Sequence, residues 1–229
     1  NVFQDDAGSL DFFCTTYTHN GRASFSLKDV TAYDPSKMGK ADLLLILNRN
    51  ENVIPAVAKL PGPLAAAYFM LGETQGTSAG GADEEGRALR VPGTNPFFPL
   101  DHGLQGNRLL ELLETHPLPV YLLNTGRIGG PETEPESRKV RIADTSAILR
   151  ALAEDEIKWE ADPDFGYLVA SEVPGLDADA REILQPGTWY EARGRTPEYR
   201  EFIARLKADR AEFLGGFPSL DPGIAAALS

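Results

Sequence analysis

Val120-Tyr121-Leu122-Leu123-Asn124-Thr125-Gly126 is the stretch on which the reading of the fold turns. A short apolar and β-branched run ends in Asn-Thr-Gly, and a loop rich in Gly, Pro and Glu follows from Arg127 to Ser137. An apolar run of this length, bounded by turn residues, predicts a strand buried on both faces. In open α/β sheets ligands gather just beyond the carboxyl ends of the strands. Asn124, Thr125 and Gly126 are therefore expected either at the rim of a site or simply at a strand end.

Outward from this strand, the chain alternates between strand-like and helix-like segments. Upstream, Gly103–Thr115 places Leu104, Leu109, Leu110, Leu112 and Leu113 with the spacing of an amphipathic helix. Ala41–Leu47 reads as another buried strand, and Phe12–Thr18 and Ala23–Leu27 have strand composition. Val53–Leu71 has helical composition broken at Pro61-Gly62-Pro63, which predicts a turn of helix, a break, and a helix over Leu64–Leu71 stopped by Gly72. Downstream, Asp144-Thr145 is expected to open a helix to about Glu154, Ile157–Trp159 and Phe165–Val169 to be short strands, and Thr196-Pro197-Glu198 to start a helix to Phe213. No internal repeat or linker is evident, so one domain over residues 1–229 is expected. Glu73–Asn95 is long and lacks an apolar pattern of its own, the signature of a mobile lid or of a disordered insertion.

The chain has 229 residues, 42% of them hydrophobic and 24% charged, as in soluble globular proteins. A net charge of −12 argues against a nucleic-acid partner, which needs a basic footprint. The single cysteine, Cys14, precludes an internal disulfide and a Cys-built zinc site, and fits a reducing cytoplasm. The apolar runs, Leu43–Leu47 among them, fall far below the ~18 residues that cross a bilayer, so no membrane partner is expected. His19, His102 and His116 are scattered without the His-x-x-x-His spacing of a metal site, and no Gly-x-Ser-x-Gly elbow is present. The chain begins at Asn1 rather than Met, which suggests a piece of something longer.

Several stretches together resemble one family. Tyr121–Gly130 is similar to the V-Y-L-V-N-T-G-W-x-G segment of ATP-dependent phosphoenolpyruvate carboxykinases. In the same order, Asn20-Gly21-Arg22 resembles Glu-Asn-Thr-Arg, Val53–Leu60 resembles V-L-P-P-V-S-R-L, and Gly72–Gly76 resembles A-G-T-E-x-G. Arg141–Ile148 is similar to S-I-K-D-T-R-A-I, and Asp162–Gly166, Val173–Leu176 and Ile183–Trp189 match the closing run. Each motif is weak alone, whereas a shared order across residues 12–213 is specific.

The resemblance implies an α/β fold with a mixed sheet and flanking helices, corresponding to the C-terminal, nucleotide-binding portion of such an enzyme. The whole enzyme type converts oxaloacetate and ATP to phosphoenolpyruvate, ADP and CO2, using Mg²⁺ and a second divalent cation, Mn²⁺. The phosphate-cradling Gly-x-x-Gly-x-Gly-Lys-Thr loop is absent here, and so are the family's metal ligands; the only Gly-Lys pair, Gly39-Lys40, is followed by Ala. The implied partners are a nucleotide, a small dicarboxylic acid and the remaining N-terminal part of a parent protein.

Carried over residue by residue, Arg22 becomes the clamp on the transferred phosphoryl group, a role suited to a planar, permanently charged guanidinium. Asn20 joins it in the nucleotide site. Lys139 (or Arg138, if the register slips by one), Val140 and Thr145 become the frame of the adenine and its sugar, although Thr145 beside Asp144 equally reads as a helix cap. Glu73, Thr74 and Gly76 become the start of the lid. The pattern departs from the family at His19, Gly21, Arg127 and Ser137-Arg138-Lys139, and in the acidic stretch Asp83-Glu84-Glu85. These departures leave room for a kinase acting on another small acid, or for a nucleotide- or protein-binding domain that has lost catalysis.

Overall fold

A computed structural model of the chain describes residues 3–11, 14, 37, 39–76, 87–95, 97–177 and 180–228. Two compact units are present, Asn1–Ala41 with Gln75–Ala88, and Asp42–Thr74 with Leu89–Ser229. In the smaller unit, β1 (Phe3–Gln4) pairs antiparallel with β2 (Leu10–Asp11). Asp5 Oδ1 closes their turn by accepting from the backbone N–H groups of Ala7 at 3.0 Å and Ser9 at 2.8 Å. The strands expected over 12–18 and 23–27 lie outside the described residues, Cys14 apart.

The larger unit continues with β3 (Leu44–Asn48), β4 (Val57–Leu60), α1 (Gly62–Leu71) and the start of β5 (Glu73–Gln75), and resumes within β6 (Ala88–Arg90). Then come α2 (Gly103–Thr115), β7 (Val120–Asn124), β8 (Arg127–Ile128), β9 (Arg138–Lys139) and α3 (Ile142–Ala153). The chain closes with β10 (Lys158–Ala161), β11 (Leu168–Glu172), α4 (Arg181–Leu184), α5 (Pro186–Ala192), α6 (Thr196–Gly215) and α7 (Pro222–Ala226). The expected α/β architecture is thus present, as a five-stranded sheet in the order β10-β11-β4-β7-β3. Only β3 and β7 are parallel; β4, β11 and β10 join antiparallel, so the sheet is mixed.

β7 is the best-buried strand, each of its five residues enclosed. Its apolar run has the predicted bounds because a strand flanked on both edges and covered on both faces favours apolar side chains and admits a polar one only where it is hydrogen-bonded, as at Asn124. β4 corrects the sequence reading. Helical composition over Val53–Leu60 gives way to strand at Val57–Leu60, held between β7 and β11 in the register Val57↔Leu123 to Leu60↔Val120. Val57, Ala58 and Leu60 are buried there, and Pro55 and Pro61 on either side leave no room for a helix. The vacancy between two strands outweighs the weak local preference.

Helix α1 then starts from the N-cap Pro61 and ends at Gly72, whose φ of +51° supplies the left-handed cap. A side chain at Gly72 would drive into the Val91 carbonyl 1.9 Å away. α1 is apolar all round and is enclosed by α2, α6, α7 and β7. Helix α3 begins two residues before the expected Asp144, capped by Arg141. Among the described residues no helix is long and apolar enough to cross a membrane.

Candidate functional site

The carboxyl ends of the parallel pair bring Asn48 and Asn124 side by side in register. Both are buried, at 3% and 0% exposure, so their amides must find partners inside the protein. Asn124 donates from Nδ2 to the Ile54 carbonyl at 2.7 Å. Its Oδ1 accepts from the backbone N–H groups of Asn50 at 2.9 Å and Gly126 at 3.0 Å. With its side chain wholly enclosed, Asn124 organises the turn after β7 rather than lining a rim.

The same turn is laced to residues 48–56 by backbone bonds. Asn124 N–H donates to Ala56, Thr125 to Asn48, Arg127 to Asn50, Gly129 to Asn52 and Gly130 to Glu51. A Cβ at Gly126 would sit 2.1 Å from the Asn50 carbonyl, so this approach requires glycine. Thr125 is the exposed member of the Asn-Thr-Gly trio.

Beyond the turn, β8 and β9 form a hairpin that pairs Arg127 with Lys139 and Ile128 with Arg138. The Arg127 guanidinium braces it, donating to Ser137 Oγ from Nε at 3.0 Å and from Nη2 at 2.8 Å. At the hairpin's foot Val140 N–H donates to the Gly126 carbonyl at 3.0 Å. One backbone bond thereby joins the predicted rim to the predicted adenine frame. Lys139 is exposed, Arg138 half-buried, and Val140 buried at 4% exposure, which leaves its backbone as its polar feature.

Helix α3 follows directly. Asp144 Oδ2 accepts from Arg141 N–H at 2.9 Å, and its carboxylate also takes the Arg141 guanidinium, with Nη2 at 2.7 Å from Oδ1. Burial pushes the Asp144 carboxyl up, but the side-chain and backbone hydrogen bonds from Arg141 outweigh it and hold the group below the usual carboxylate range. Asp144, not Thr145, does the capping, so Thr145 is a half-buried residue of the first turn whose N–H is bonded to Arg141 O. With a carboxylate already seated at this helix start, a phosphate has no favourable place there.

A second polar centre lies where β3 ends and β5 begins. Arg210 of α6, fully buried, grips Glu73 in a two-point contact, Nε to Oε1 at 2.8 Å and Nη2 to Oε2 at 2.6 Å. Its third nitrogen, Nη1, donates to Tyr68 Oη at 2.9 Å. Asn48 Nδ2 donates to Glu73 Oε2 at 3.1 Å, and Arg90 approaches Oε1 at 3.4 Å while also pairing with Asp209. Burial raises the Glu73 carboxyl, but Arg210's charge and hydrogen bonds, then Arg90 and Asn48, hold it below the usual range. Burial likewise pushes the Tyr68 hydroxyl up to about 12. Glu73 is therefore anchored, whereas its neighbour Thr74 is exposed. In the smaller unit Gly76 N–H continues the β5–β6 pairing by donating to Arg87 O at 2.8 Å; residues 77–86, the rest of the expected lid tip, lie outside the described residues.

Arg22 and Asn20 also lie outside the described residues. Of the remaining candidates, the structure gathers Gly126, Arg138, Lys139, Val140 and Thr145 along one hairpin-to-helix connection, and sets Glu73 in a separate cluster. Among the described residues no group of three or more His, Cys, Asp or Glu side chains could hold a metal. Arg210 was missed from the sequence, yet it carried a signal. It falls on the α6 stripe of Tyr199, Ile203 and Leu214, the buried face of that helix, where an unpaired arginine would be untenable.

Comparison with known proteins shows which family the chain resembles. The family model described as phosphoenolpyruvate carboxykinase matches residues 1–179. The ATP-dependent phosphoenolpyruvate carboxykinase of Aeropyrum pernix is 29% identical over 225 residues, covering 96% of this chain and 42% of that relative. The enzyme of the same name from Geobacillus kaustophilus is 29% identical over 231 residues, with 96% and 43% covered. One from Moorella thermoacetica is 30% identical over 223 residues, with 93% and 41% covered. The chain thus spans about two fifths of the length of the curated relatives it matches.

Proposed function

The chain belongs to the ATP-dependent phosphoenolpyruvate carboxykinase family, and from that premise we propose that it is the C-terminal, nucleotide-facing part of an enzyme that converts oxaloacetate and ATP to phosphoenolpyruvate, ADP and CO2. The observation that carries the reading is the bond from Val140 N–H to Gly126 O. It sets an exposed cation, Lys139, beside the carboxyl end of the parallel pair, one short connection before Thr145. A cation of this kind can lie over a purine face, backbone groups can read its edge, and the Thr145 hydroxyl can meet the sugar.

Arg22 is assigned the clamp on the transferred phosphoryl group, with Asn20 beside it, and the β5–β6 ribbon the stem of a lid that excludes water from a reactive enolate. The bound Mg²⁺ and second cation would neutralise charge on the phosphates, and their ligands belong to the part of the protein outside this chain. The chain alone is therefore inactive.

The test has two arms. Mg-ATP titrated into the 229-residue chain gives weak binding or none, and the chain gives no carboxykinase turnover; robust turnover overturns the reading. In the parent protein, Arg22→Ala lowers kcat with little change in ATP affinity, while Lys139→Ala and Thr145→Ala raise the KM for ATP. If Arg22→Ala leaves the rate unchanged, the domain binds rather than catalyses.

A further inference from the structure

β3 has the composition of an interior strand and the position of an edge. Leu43-Leu44-Leu45-Ile46-Leu47 holds five consecutive apolar residues with no charge and no proline, the pattern of a strand buried on both faces. Native edge strands are instead blunted by Lys, Pro or a bulge. Among the described residues β3 pairs with β7 alone, and Leu47 is 65% exposed. Beside the strand runs a groove of about 730 Å³, lined by Leu44, Ile46, Phe69, Leu104, Leu109 and Leu112. Phe97 and Leu100, in the approach to α2, add large apolar surface, 87% and 62% exposed.

We infer that this edge and groove seat an extended segment from the part of the parent protein preceding Asn1, which adds to the sheet beyond β3 and makes it an interior strand. The inference rests on the reading of the chain as the C-terminal portion of a longer carboxykinase. Two observations choose this occupant over a second copy of the chain. More than half the length of each matched relative lies outside the region aligned with this chain, which covers 42% and 43% of two of them. A second copy would also bring another net charge of −12 to the interface, an arrangement opposed by self-repulsion.

The experiment places the photocrosslinking residue p-benzoylphenylalanine at Leu47, and separately at Leu104, in the parent protein. In parallel, hydrogen exchange is followed in the unsubstituted parent and in the 229-residue chain. The expected results are an intramolecular crosslink to a peptide preceding Asn1, and exchange of the β3 amides facing away from β7 at least about tenfold slower in the parent. Crosslinks between copies with a dimer in sedimentation overturn the inference in favour of self-association. Equal exchange in both proteins without a crosslink overturns it outright. Carboxykinase turnover of the parent is assayed separately: a crosslink without turnover leaves the surface standing and removes the proposed function, and turnover without a crosslink does the reverse.

Discussion

β3 and β7 are close to the same strand written twice, Leu-Leu-Ile-Leu-Asn and Val-Tyr-Leu-Leu-Asn, paired in parallel register from Leu44↔Val120 to Asn48↔Asn124. One is fully enclosed; the other is half-open along its length apart from its final asparagine. Sequence therefore specifies what surroundings a strand requires, and the rest of the molecule decides whether they are present. The two asparagines sharpen the point. Identical residues at identical register serve different neighbours, Asn124 the turn that follows β7 and Asn48 the ion cluster at Glu73.

The contrast can be broken at several places. The largest effect is expected at the cluster that holds the end of β3. Arg210→Ala strands the buried Glu73 carboxylate and should cost roughly 3–5 kcal/mol in urea unfolding, the usual loss when one partner of a buried pair is removed. An undiminished midpoint would show that the pair stabilises nothing. Next comes the strand comparison itself. Leu122→Ala in β7, at 0% exposure, should cost about 2–5 kcal/mol, whereas Leu47→Ala in β3 should stay within about 0.5 kcal/mol. Equal losses would mean that β3 is covered in the isolated chain.

Asn124→Ala should cost at least about 2 kcal/mol, because it leaves the Ile54 carbonyl and two backbone N–H groups without partners, against almost nothing for exposed Thr125→Ala. The smallest effect is a pH dependence. Glu73 has a folded pKa below its unfolded one, so its contribution is fully present above the unfolded value and is lost as pH falls through the folded value. Stability should therefore decline more steeply below the ordinary glutamate range in the native protein than in Glu73→Gln; parallel acid limbs would remove Glu73 from the account.

How much of this was legible follows the same physics. β7 and α2 both stand at the bounds that their apolar patterns predict, but only β7 is enclosed, whereas Leu104 and Leu112 of α2 stay exposed beside the groove. β4 was misread because composition is a weak local prior, and its strand state comes from two neighbours distant in sequence. The residues expected to frame an adenine could be named from the sequence as candidates, but the bond from Val140 to Gly126 that ties them to the end of β7 could not. Thr145 was offered as a cap, a duty Asp144 performs with Arg141. Arg210 stood in plain sight on an apolar stripe, and its partner could not be named because Glu73 lies 137 residues away.

That separation has a kinetic consequence. A guanidinium leaves water only when its carboxylate is already waiting, and here the waiting carboxylate belongs to a ribbon laid down long before α6 in the chain. Closure of so long a loop is slow and late. The Arg210–Glu73 contact is thus placed to act as a latch on the finished unit, retarding its opening far more than it hastens its assembly.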